Sequence, residues 1–438
     1  MRTGLAGLSL LTLSLLPVWS VAGEPELTLY DGAARPGIRV LAVAPDSEHA
    51  LRSARVNASA ALAAKFPGSA IDLAHSEEPG GRSALTLTWR DIWKSGVRLQ
   101  GAGIDLRPYL KNGALAFDLK VDELNTGGIV FKVGCGADCE RQVSYVVAGR
   151  ASEGQGWRRI VLPMACFQRD GDDFSSVDRP FTLEGTGSGR VSVANVVFTH
   201  GATPNTPCPD WRTVSVTPEM LNESWSIDWW LARHRQKRED ARQMLAQGRS
   251  PQLVLIGDSI TQGWEKEGAA VWREYYARHD ALGLGFGGDR TENVLWRLQH
   301  GALDGLDPKV AVLLIGTNNA GLRGDFPATT LAGIRADVEE LKRRLPRTRI
   351  LVLGIFPRDA GPDGPLRRLN EQVNAQLPAL ADGRRVFFVN LNQAFLAPGG
   401  VLSKDIMPDL LHPNAAGYAI WAKAMQPTLQ RLMALPRL

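Results

Sequence analysis

The chain has 438 residues, of which 44% are hydrophobic and 22% are charged, a composition typical of a soluble globular protein. Its length exceeds what one ordinary hydrophobic core accommodates, so we expect two domains. The formal net charge of +4 is small for this length, and acidic and basic residues are mixed along the chain. This charge pattern argues against nucleic-acid binding and against strong attraction to a membrane surface.

The amino terminus has the pattern of a secretory signal peptide. Arg2 provides a positive charge, residues 5–16 form an apolar run, and residues 20–22 place small side chains at the cleavage positions. We therefore predict a signal peptide over residues 1–22. No other segment approaches the ~20 apolar residues of a membrane-spanning helix, so we expect no membrane insertion and a secreted or periplasmic protein.

Residues 23–205 have the texture of an all-β domain. Apolar and polar residues alternate in short runs, separated by Gly-, Asp- and Ser-rich turns, which predicts a sandwich of two antiparallel sheets. The runs are Leu27–Tyr30, Ala84–Trp89, Ala114–Leu119, Val143–Val147 and Arg190–Phe198. Trp89, Trp93 and Trp157 could stack on sugar rings or pack in a core, so both a glycan-binding and a structural role stay open for this domain.

All the cysteines lie in the first half of the chain, at Cys135, Cys139, Cys166 and Cys208. An even number in an exported protein predicts two disulfides, and four cysteines allow three pairings. We favour the local pairing, Cys135 with Cys139 and Cys166 with Cys208. Zinc binding is the alternative, but the spacing is not that of paired zinc ligands and no histidine flanks the cysteines, so we predict no metal site.

A Pro- and Thr-rich segment follows, and we predict a linker over residues 206–221. Residues 222–438 then alternate helical stretches with continuous apolar runs, as expected for parallel strands buried on both faces. The predicted strands are Leu253–Ile256, Val310–Ile315, Ile350–Ile355 and Val386–Val389, and the predicted helices are Trp225–Gln247, Thr291–His300, Ala328–Arg344, Leu366–Ala381 and Ala415–Met433. This pattern predicts a doubly wound, three-layer α/β fold of the flavodoxin-like kind.

Four short segments of this second domain together provide the groups that hydrolyse an ester with a serine. They are Gly257-Asp258-Ser259, Gly287-Gly288-Asp289, Gly316-Thr317-Asn318-Asn319 and Asp409-Leu410-Leu411-His412. Taken singly, each has an ordinary structural explanation as a helix cap or a turn. In a doubly wound fold, however, segments that follow strands converge at the carboxyl edge of the sheet, so we expect one site.

Within that site, Ser259 is the candidate nucleophile and His412 its general base. Asp409 lies three residues before His412, close enough for a turn to place its carboxylate against one imidazole nitrogen. The candidate donors to the oxyanion are the backbone N–H groups of Ser259 and Gly288 and the side-chain amide of Asn318.

The residues around these segments resemble those of the SGNH (GDSL-type) hydrolase superfamily, and in particular its branch of platelet-activating-factor acetylhydrolase catalytic subunits. The runs that carry the resemblance are Ile256–Gly263, Gly285–Leu298, Val312–Asn319, Leu353–Arg358 and Leu410–Pro413. The resemblance implies a Ser259–His412–Asp409 triad, an oxyanion hole from Ser259, Gly288 and Asn318, and no metal or organic cofactor. In the first domain, the run Leu27–Gly32, the spacing of Cys135 and Cys139 and the run Leu162–Phe167 more loosely resemble the galactose-binding-like, jelly-roll sandwich appended to some exported bacterial glucan glucohydrolases.

These resemblances predict an exported carbohydrate esterase that removes acetyl groups from a polysaccharide or oligosaccharide through an acyl-enzyme. A lysophospholipase or short-chain acyl esterase of the same superfamily is the first alternative. A non-catalytic glycan-binding protein is the second, and it is disfavoured because every triad and oxyanion residue is present. Some relatives dimerise through the catalytic domain, so a homodimer is possible.

Overall fold

The computed structural model describes residues 26–78, 81–136 and 139–438. The predicted signal peptide, residues 1–22, lies outside the described residues. In the part of the chain that the structure describes, no helix combines the length and the apolar character needed to cross a bilayer.

The amino-terminal half is a β-sandwich that also carries short helices. Its strands are β1 Leu27–Tyr30, β2 Arg39–Ala44, β3 Ser47–Ala50, β4 Arg55–Asn57, β5 Ala70–Glu78, β6 Arg82–Gln100, β7 Gly113–Thr126, β8 Ile129–Gly134, β9 Glu140–Ser144, β10 Trp157–Pro163 and β11 Phe181–His200. Its helices are α1 Ser59–Ala63 and α2 Val146–Ala151. All of the described strand pairs in this half are antiparallel.

The two layers of the sandwich share their longest strands. The first part of β11 pairs with β8 and with the end of β6, whereas its second part pairs with β7 and with the start of β6. The register shifts at Gly185, Gly187 and Gly189, where β11 passes from one layer to the other. Glycine is required at Gly185 and Gly189 because a Cβ at either would lie 2.7 Å from the ring of Trp89.

Trp89 is therefore a core residue, with 2% of its surface exposed, and is not a sugar platform. Packed rings such as Phe117 and Phe131, whose centroids lie 4.7 Å apart, fill the same core. The predicted strand Val143–Val147 is half wrong, since β9 ends at Ser144 and α2 begins at Val146. Val146 is buried against Gly128, so its apolar side chain packs the core from a helix.

Disulfides join Cys135 to Cys139 and Cys166 to Cys208. The second bond ties the start of the predicted linker to the sandwich. Further along the linker, Ser215 is buried, its hydroxyl donates to Asp325 and its carbonyl accepts from Thr291. This part of the segment is thus built into the carboxyl-terminal half of the molecule.

The carboxyl-terminal half is a three-layer α/β domain around a parallel sheet. Its strands are β12 Leu253–Gly257, β13 Leu282–Gly285, β14 Val310–Leu314, β15 Arg349–Leu353 and β16 Val386–Val389, with a small hairpin of β17 Leu396–Ala397 and β18 Val401–Leu402. Its helices are α3 Trp230–Ala246, α4 Ser259–Gln262, α5 Ala269–Tyr275, α6 Thr291–Gln299, α7 Pro327–Arg344, α8 Pro365–Asn374 and α9 Ala415–Ala434.

The strand order β13-β12-β14-β15-β16 is the flavodoxin-like order. The central strands β12, β14 and β15 are buried on both faces because alternate side chains reach opposite helix layers. In β12, Val254 and Ile256 pack with α6 and α7, whereas Leu253 and Leu255 pack with α5 and α9. All five strands are parallel, but β13 lies on one side of β12 while β14, β15 and β16 follow on the other side. A crevice opens at such a switch point between β12 and β14, beyond the carboxyl ends of the strands.

Candidate active site

The predicted site segments meet at this crevice. Ser259 directly follows β12, Gly288 lies in the loop after β13, and Asn318 lies in the loop after β14. His412 comes from the loop before α9 and reaches the same point, although 153 residues separate it from Ser259 in sequence. The fold thus brings together groups from four separate loops.

A continuous hydrogen-bonded chain links the three residues proposed for the triad. The hydroxyl oxygen of Ser259 lies 2.8 Å from Nε2 of His412. Nδ1 of His412 lies 2.6 Å from a carboxylate oxygen of Asp409. An ionised Asp409 accepts a hydrogen bond from the Nδ1–H group of His412. The proton therefore stays on Nδ1, and the lone pair of Nε2 is directed at the serine hydroxyl.

The turn of residues 409–412 holds Asp409 in place. The second carboxylate oxygen of Asp409 accepts the backbone N–H groups of Leu411 at 3.1 Å and His412 at 2.7 Å. Burial raises the pKa of Asp409, but the hydrogen bonds from the side chain and backbone of His412 outweigh it, and the net shift is downward. Asp409 is therefore a carboxylate at neutral pH, as the geometry of the pair requires.

Leu410, inside this turn, has a φ of +60°, a left-handed conformation that a leucine rarely adopts. Such a conformation costs on the order of 1–3 kcal/mol and persists where the surrounding structure enforces it. Here it allows the chain to reverse within the two residues between Asp409 and His412.

Ser259 begins the short helix α4, and the residues before it fix its position. Asp258 is buried and accepts the N–H of Ile260 at 2.9 Å, and burial raises the pKa of its carboxyl to about 7. Gly257 ends β12 where a Cβ would lie 2.2 Å from the carbonyl of Leu314. The glycine therefore lets β12 and β14 approach closely at the point where the serine emerges.

The candidate oxyanion donors lie beside Ser259. The side-chain amide of Asn318 donates to the carbonyl of Asp289 at 3.0 Å, and this bond leaves its second N–H available. Within the described residues, the backbone N–H groups of Ser259 and Gly288 have no protein acceptor. These groups can receive an oxyanion, which needs donors that are already in place.

A buried ion pair below the site supports the loop that carries Gly288. Asp289 and Arg297 are both fully buried and lie 2.7 Å apart. Trp230 donates its indole N–H to Asp289 at 2.6 Å, and Arg297 also donates to the carbonyl of Gly257 at 3.3 Å. Burial raises the pKa of Asp289 to about 6 although Arg297 and Trp230 oppose the shift. The pair couples the end of β12 to the loop after β13.

Asn319 supports the loop after β14 in a similar way. It is fully buried, its amide oxygen accepts the N–H of Thr291 at 3.1 Å, and its amide nitrogen donates to Asp325 at 3.1 Å. Asp325 also accepts from Ser215, which belongs to the predicted linker. Asn319 is thus a structural neighbour of the candidate donor Asn318.

Two tryptophans beside the site were not predicted from the sequence as functional residues. Trp225 is 39% exposed and lies against Gly288, and a Cβ on that glycine would be 2.1 Å from the Trp225 ring. Trp229 lies next to Gly287, with its ring stacked near Trp225 at a centroid distance of 6.2 Å. The signal in the sequence is the cluster of three tryptophans in residues 225–230, which the predicted helix Trp225–Gln247 includes.

The remaining candidate residues lie in the sandwich. Cys135 and Cys139 approach Asp172, but their thiols are joined in a disulfide. Trp93 is 58% exposed, and Trp157 is covered by Arg82, whose guanidinium lies 4.8 Å from the ring centroid.

Comparison with known protein families gives a match in each domain. The sequence model of the GDSL-like lipase/acylhydrolase family matches residues 255–420, and that of a galactose-binding domain-like family matches residues 48–198. Platelet-activating factor acetylhydrolase IB subunit alpha1 of Homo sapiens is 36% identical over 206 residues, which make up 47% of this chain and 84% of that protein. The family matches and this relative confirm the two resemblances and the fold class that the sequence motifs predicted.

Two solved structures are each similar to one domain. A GDSL-like lipase from Bacteroides thetaiotaomicron has 19% sequence identity and a TM-score of 0.39, over 46% of this chain and 97% of that one. The extra C-terminal domain of an exo-1,3/1,4-beta-glucanase from a Pseudoalteromonas species has 11% identity and a TM-score of 0.34, over 42% of this chain and 97% of that one.

Proposed function

Because this chain belongs to the GDSL-like lipase/acylhydrolase family, we propose that it is an exported serine esterase that removes O-acetyl groups from a polysaccharide or oligosaccharide. The observation that carries the catalytic part is the chain of contacts from Ser259 through His412 to Asp409, at 2.8 Å and 2.6 Å. Both distances are those of working hydrogen bonds between a nucleophile, a base and an orienting carboxylate.

In the first half of the proposed reaction, the hydroxyl oxygen of Ser259 attacks the acetyl carbonyl carbon while Nε2 of His412 takes the hydroxyl proton. The negative charge on the carbonyl oxygen is received by the N–H groups of Ser259 and Gly288 and the amide of Asn318. The ester C–O bond then breaks, and His412 returns its proton to the departing sugar oxygen. The product is a free sugar hydroxyl and an acetyl group bound to Ser259.

In the second half, a water molecule attacks the acetyl-enzyme and His412 removes one of its protons. The second tetrahedral intermediate uses the same donors and collapses to acetate, and Ser259 regains its proton from His412. Asp409 keeps the imidazole in the required tautomer throughout and stabilises the imidazolium that forms in both halves.

Three observations support acetylated carbohydrate as the substrate class. The human relative is named an acetylhydrolase, which favours a short acyl group. The amino-terminal domain matches a galactose-binding domain-like family. The disulfides Cys135–Cys139 and Cys166–Cys208 suit an oxidising compartment outside the cytoplasm, where structural polysaccharides occur.

The proposal is tested by an acetate-release screen with acetylated xylan, acetylated oligosaccharides and small aryl acetates. A series of nitrophenyl esters of increasing chain length runs in parallel. We expect acetate to be the best acyl group and glycan acetates to be hydrolysed. Preference for octanoate or longer chains would instead indicate a lipid esterase. Absence of acetate release from every glycan would overturn the carbohydrate part.

The catalytic assignment is tested with Ser259→Ala and His412→Ala. Each is expected to lose activity while the protein stays folded, and a fluorophosphonate probe is expected to label wild type but not Ser259→Ala. The sandwich offers a matched control, because Ser47 and His49 form an exposed serine–histidine pair at 3.1 Å. Ser47→Ala and His49→Ala are expected to retain activity. Normal turnover by Ser259→Ala would refute the mechanism.

A further inference from the structure

The sandwich domain forms hydrogen bonds with a short segment that packs against the active-site loop. This segment, residues 222–229, is called the tryptophan segment here, and it connects the linker to α3. At its centre, Trp225 packs against Gly288, the candidate oxyanion donor, while 39% of its surface remains exposed. An exposed tryptophan in contact with a catalytic loop is an unusual use of apolar surface, which folding alone tends to bury.

Trp225 is held from within the segment. The indole N–H of Trp229 donates to the carbonyl of Trp225 at 3.0 Å, and the two rings stack with an interplanar angle of 28°. The buried hydroxyl of Ser226 donates to the carbonyl of Leu221 at 2.9 Å and accepts the N–H of Glu223 at 3.2 Å. The exposed ring therefore stands on an ordered backbone.

The sandwich contacts the same segment at both of its ends and near its middle. At the start, Ser144 donates to the carbonyl of Asn222 at 2.6 Å. Near the middle, the hydroxyls of Thr186 and Ser224 lie 2.7 Å apart. Gln142 adds a side-chain hydrogen bond to the segment at 3.2 Å.

At the other end of the segment, Asp228 is held twice by the sandwich. One carboxylate oxygen accepts the backbone N–H of Gly127 at 2.6 Å, in the turn between β7 and β8. The other accepts the guanidinium of Arg150, from α2, at 2.6 Å. The Asp228 side chain is 42% exposed, so solvent screens its pair with Arg150, and its attachment to the sandwich depends on both contacts together.

From this arrangement we propose that Trp225 is a stacking platform for the sugar ring of the substrate, and that the sandwich domain positions it by clamping the tryptophan segment. The inference rests on the proposed carbohydrate substrate and gives the sandwich a part in the active site. A pyranose ring presents an apolar C–H face, which packs on an indole face while its hydroxyl groups stay in water. Because the ring of Trp225 touches Gly288, a sugar on it lies beside the carbonyl that Ser259 attacks.

The platform is tested by binding, which does not depend on ester hydrolysis. Wild type, Trp225→Ala and Trp225→Phe are titrated with xylohexaose, cellohexaose and chitohexaose by calorimetry. We expect binding of at least one of them, a loss of at least about tenfold in affinity for Trp225→Ala, and substantial recovery in Trp225→Phe. Equal affinity of wild type and Trp225→Ala, or no binding of any of the three, overturns the inference.

This readout separates the inference from the proposed function. Binding that depends on Trp225, in an enzyme that releases no acetate from glycans, refutes the esterase proposal and leaves the platform standing. If the enzyme releases acetate from glycans but Trp225→Ala changes neither the affinity nor KM, the esterase proposal stands and the platform is refuted. In a hydrolysing enzyme, the ratio of kcat/KM for an acetylated oligosaccharide to that for ethyl acetate is expected to fall about tenfold in Trp225→Ala.

The clamp is tested with Asp228→Ala and, to preserve size, Asp228→Asn. Asp170→Ala is the matched control, because Asp170 is 71% exposed and its ion pair within the described residues is a surface contact with Arg212 at 3.1 Å. Both Asp228 variants are expected to lower oligosaccharide affinity severalfold with circular dichroism unchanged, and Asp170→Ala to leave it unchanged. If the two Asp228 variants bind the oligosaccharide as tightly as Asp170→Ala does, the sandwich does not position the platform.

Discussion

Gly288→Ala tests the geometry of the oxyanion loop most directly. Gly288 has a φ of +78°, and an ideal Cβ would lie 2.1 Å from the ring of Trp225. Real Cβ atoms do not approach that closely, so either the indole or the loop must move. We expect both effects, the strained backbone and the displaced contact, to act on the N–H of residue 288.

The magnitude follows from the two contributions. A left-handed conformation costs an alanine about 1–2 kcal/mol relative to glycine, which lowers stability without unfolding a domain of ordinary stability. The collision with Trp225 shifts the loop, and a 1 Å misplacement in an active site costs about 100-fold in rate. Complete loss of one oxyanion donor costs about 100- to 1000-fold. We therefore expect kcat to fall about 100-fold while the free energy of unfolding falls by only about 1–2 kcal/mol.

The assay is acetate release from ethyl acetate, whose leaving group has no ring, together with urea unfolding. Gly248→Ala is the matched control, since Gly248 has a φ of +72° and, apart from its chain neighbours, no described residue has an atom within 4 Å of its ideal Cβ. This variant is expected to lose the same stability and none of the activity. The comparison separates the backbone strain from the contact with Trp225.

A double-mutant cycle completes the test. If the collision causes the loss, Gly288→Ala is less damaging to kcat in a Trp225→Ala background than in wild type. Wild-type kcat in Gly288→Ala would refute the position given to the oxyanion loop. An equal loss in both backgrounds would show that contact with Trp225 is not the cause.

Three further predictions concern carboxylates. Asp409→Asn leaves His412 without the acceptor that fixes its tautomer, and kcat is expected to fall about 10⁴-fold, with KM nearly unchanged in steady-state kinetics; a loss below tenfold would mean that the exposed Asp409 does not act through His412. Asp289→Ala leaves Arg297 buried without its partner, and urea unfolding is expected to show a loss of about 3–5 kcal/mol; a loss under about 1 kcal/mol would contradict the buried pair. Asp337 is completely buried, which raises the pKa of its carboxyl well above the ordinary value. The unfolded chain releases this proton above a pH of about 3.9, whereas the folded protein retains it. Between the pKa of Asp337 in the unfolded chain and its pKa in the folded protein, the unfolding free energy of wild type therefore falls by about 1.4 kcal/mol for each pH unit. Asp337→Asn removes that dependence, so its unfolding free energy relative to wild type is expected to rise from pH ~4 to pH ~7; a difference that is flat with pH would show that Asp337 does not titrate as its burial predicts.

The sequence predicted the sheet of the carboxyl-terminal domain because strands buried on both faces are uninterrupted apolar runs. The run Val310–Ile315 is such a case, since β14 occupies the middle of the sheet and every residue of it is buried. The strand β13, Leu282–Gly285, was missed. It is short, two of its residues are glycine and it lies at the sheet edge, so its sequence lacks the apolar signal of a central strand. Similarly, helix α3 begins at Trp230 and not at Trp225, because the residues before it are held by the sandwich.

The sequence by itself determined the reacting groups and the kind of fold that brings them together. Residue type determines what Ser259, His412 and Asn318 are able to do. Because Ser259 and Asn318 each follow a predicted parallel strand, the sequence also indicates that they lie at the same edge of one sheet. Only the tertiary structure decided which other side chains share that edge. Trp225 contacts Gly288, and the N–H of Gly127 donates to Asp228 of the tryptophan segment. These contacts join parts of the chain that no local sequence pattern relates. Propensity and periodicity depend on neighbours in sequence, whereas binding and positioning depend on distances through space, which the packing of two domains sets.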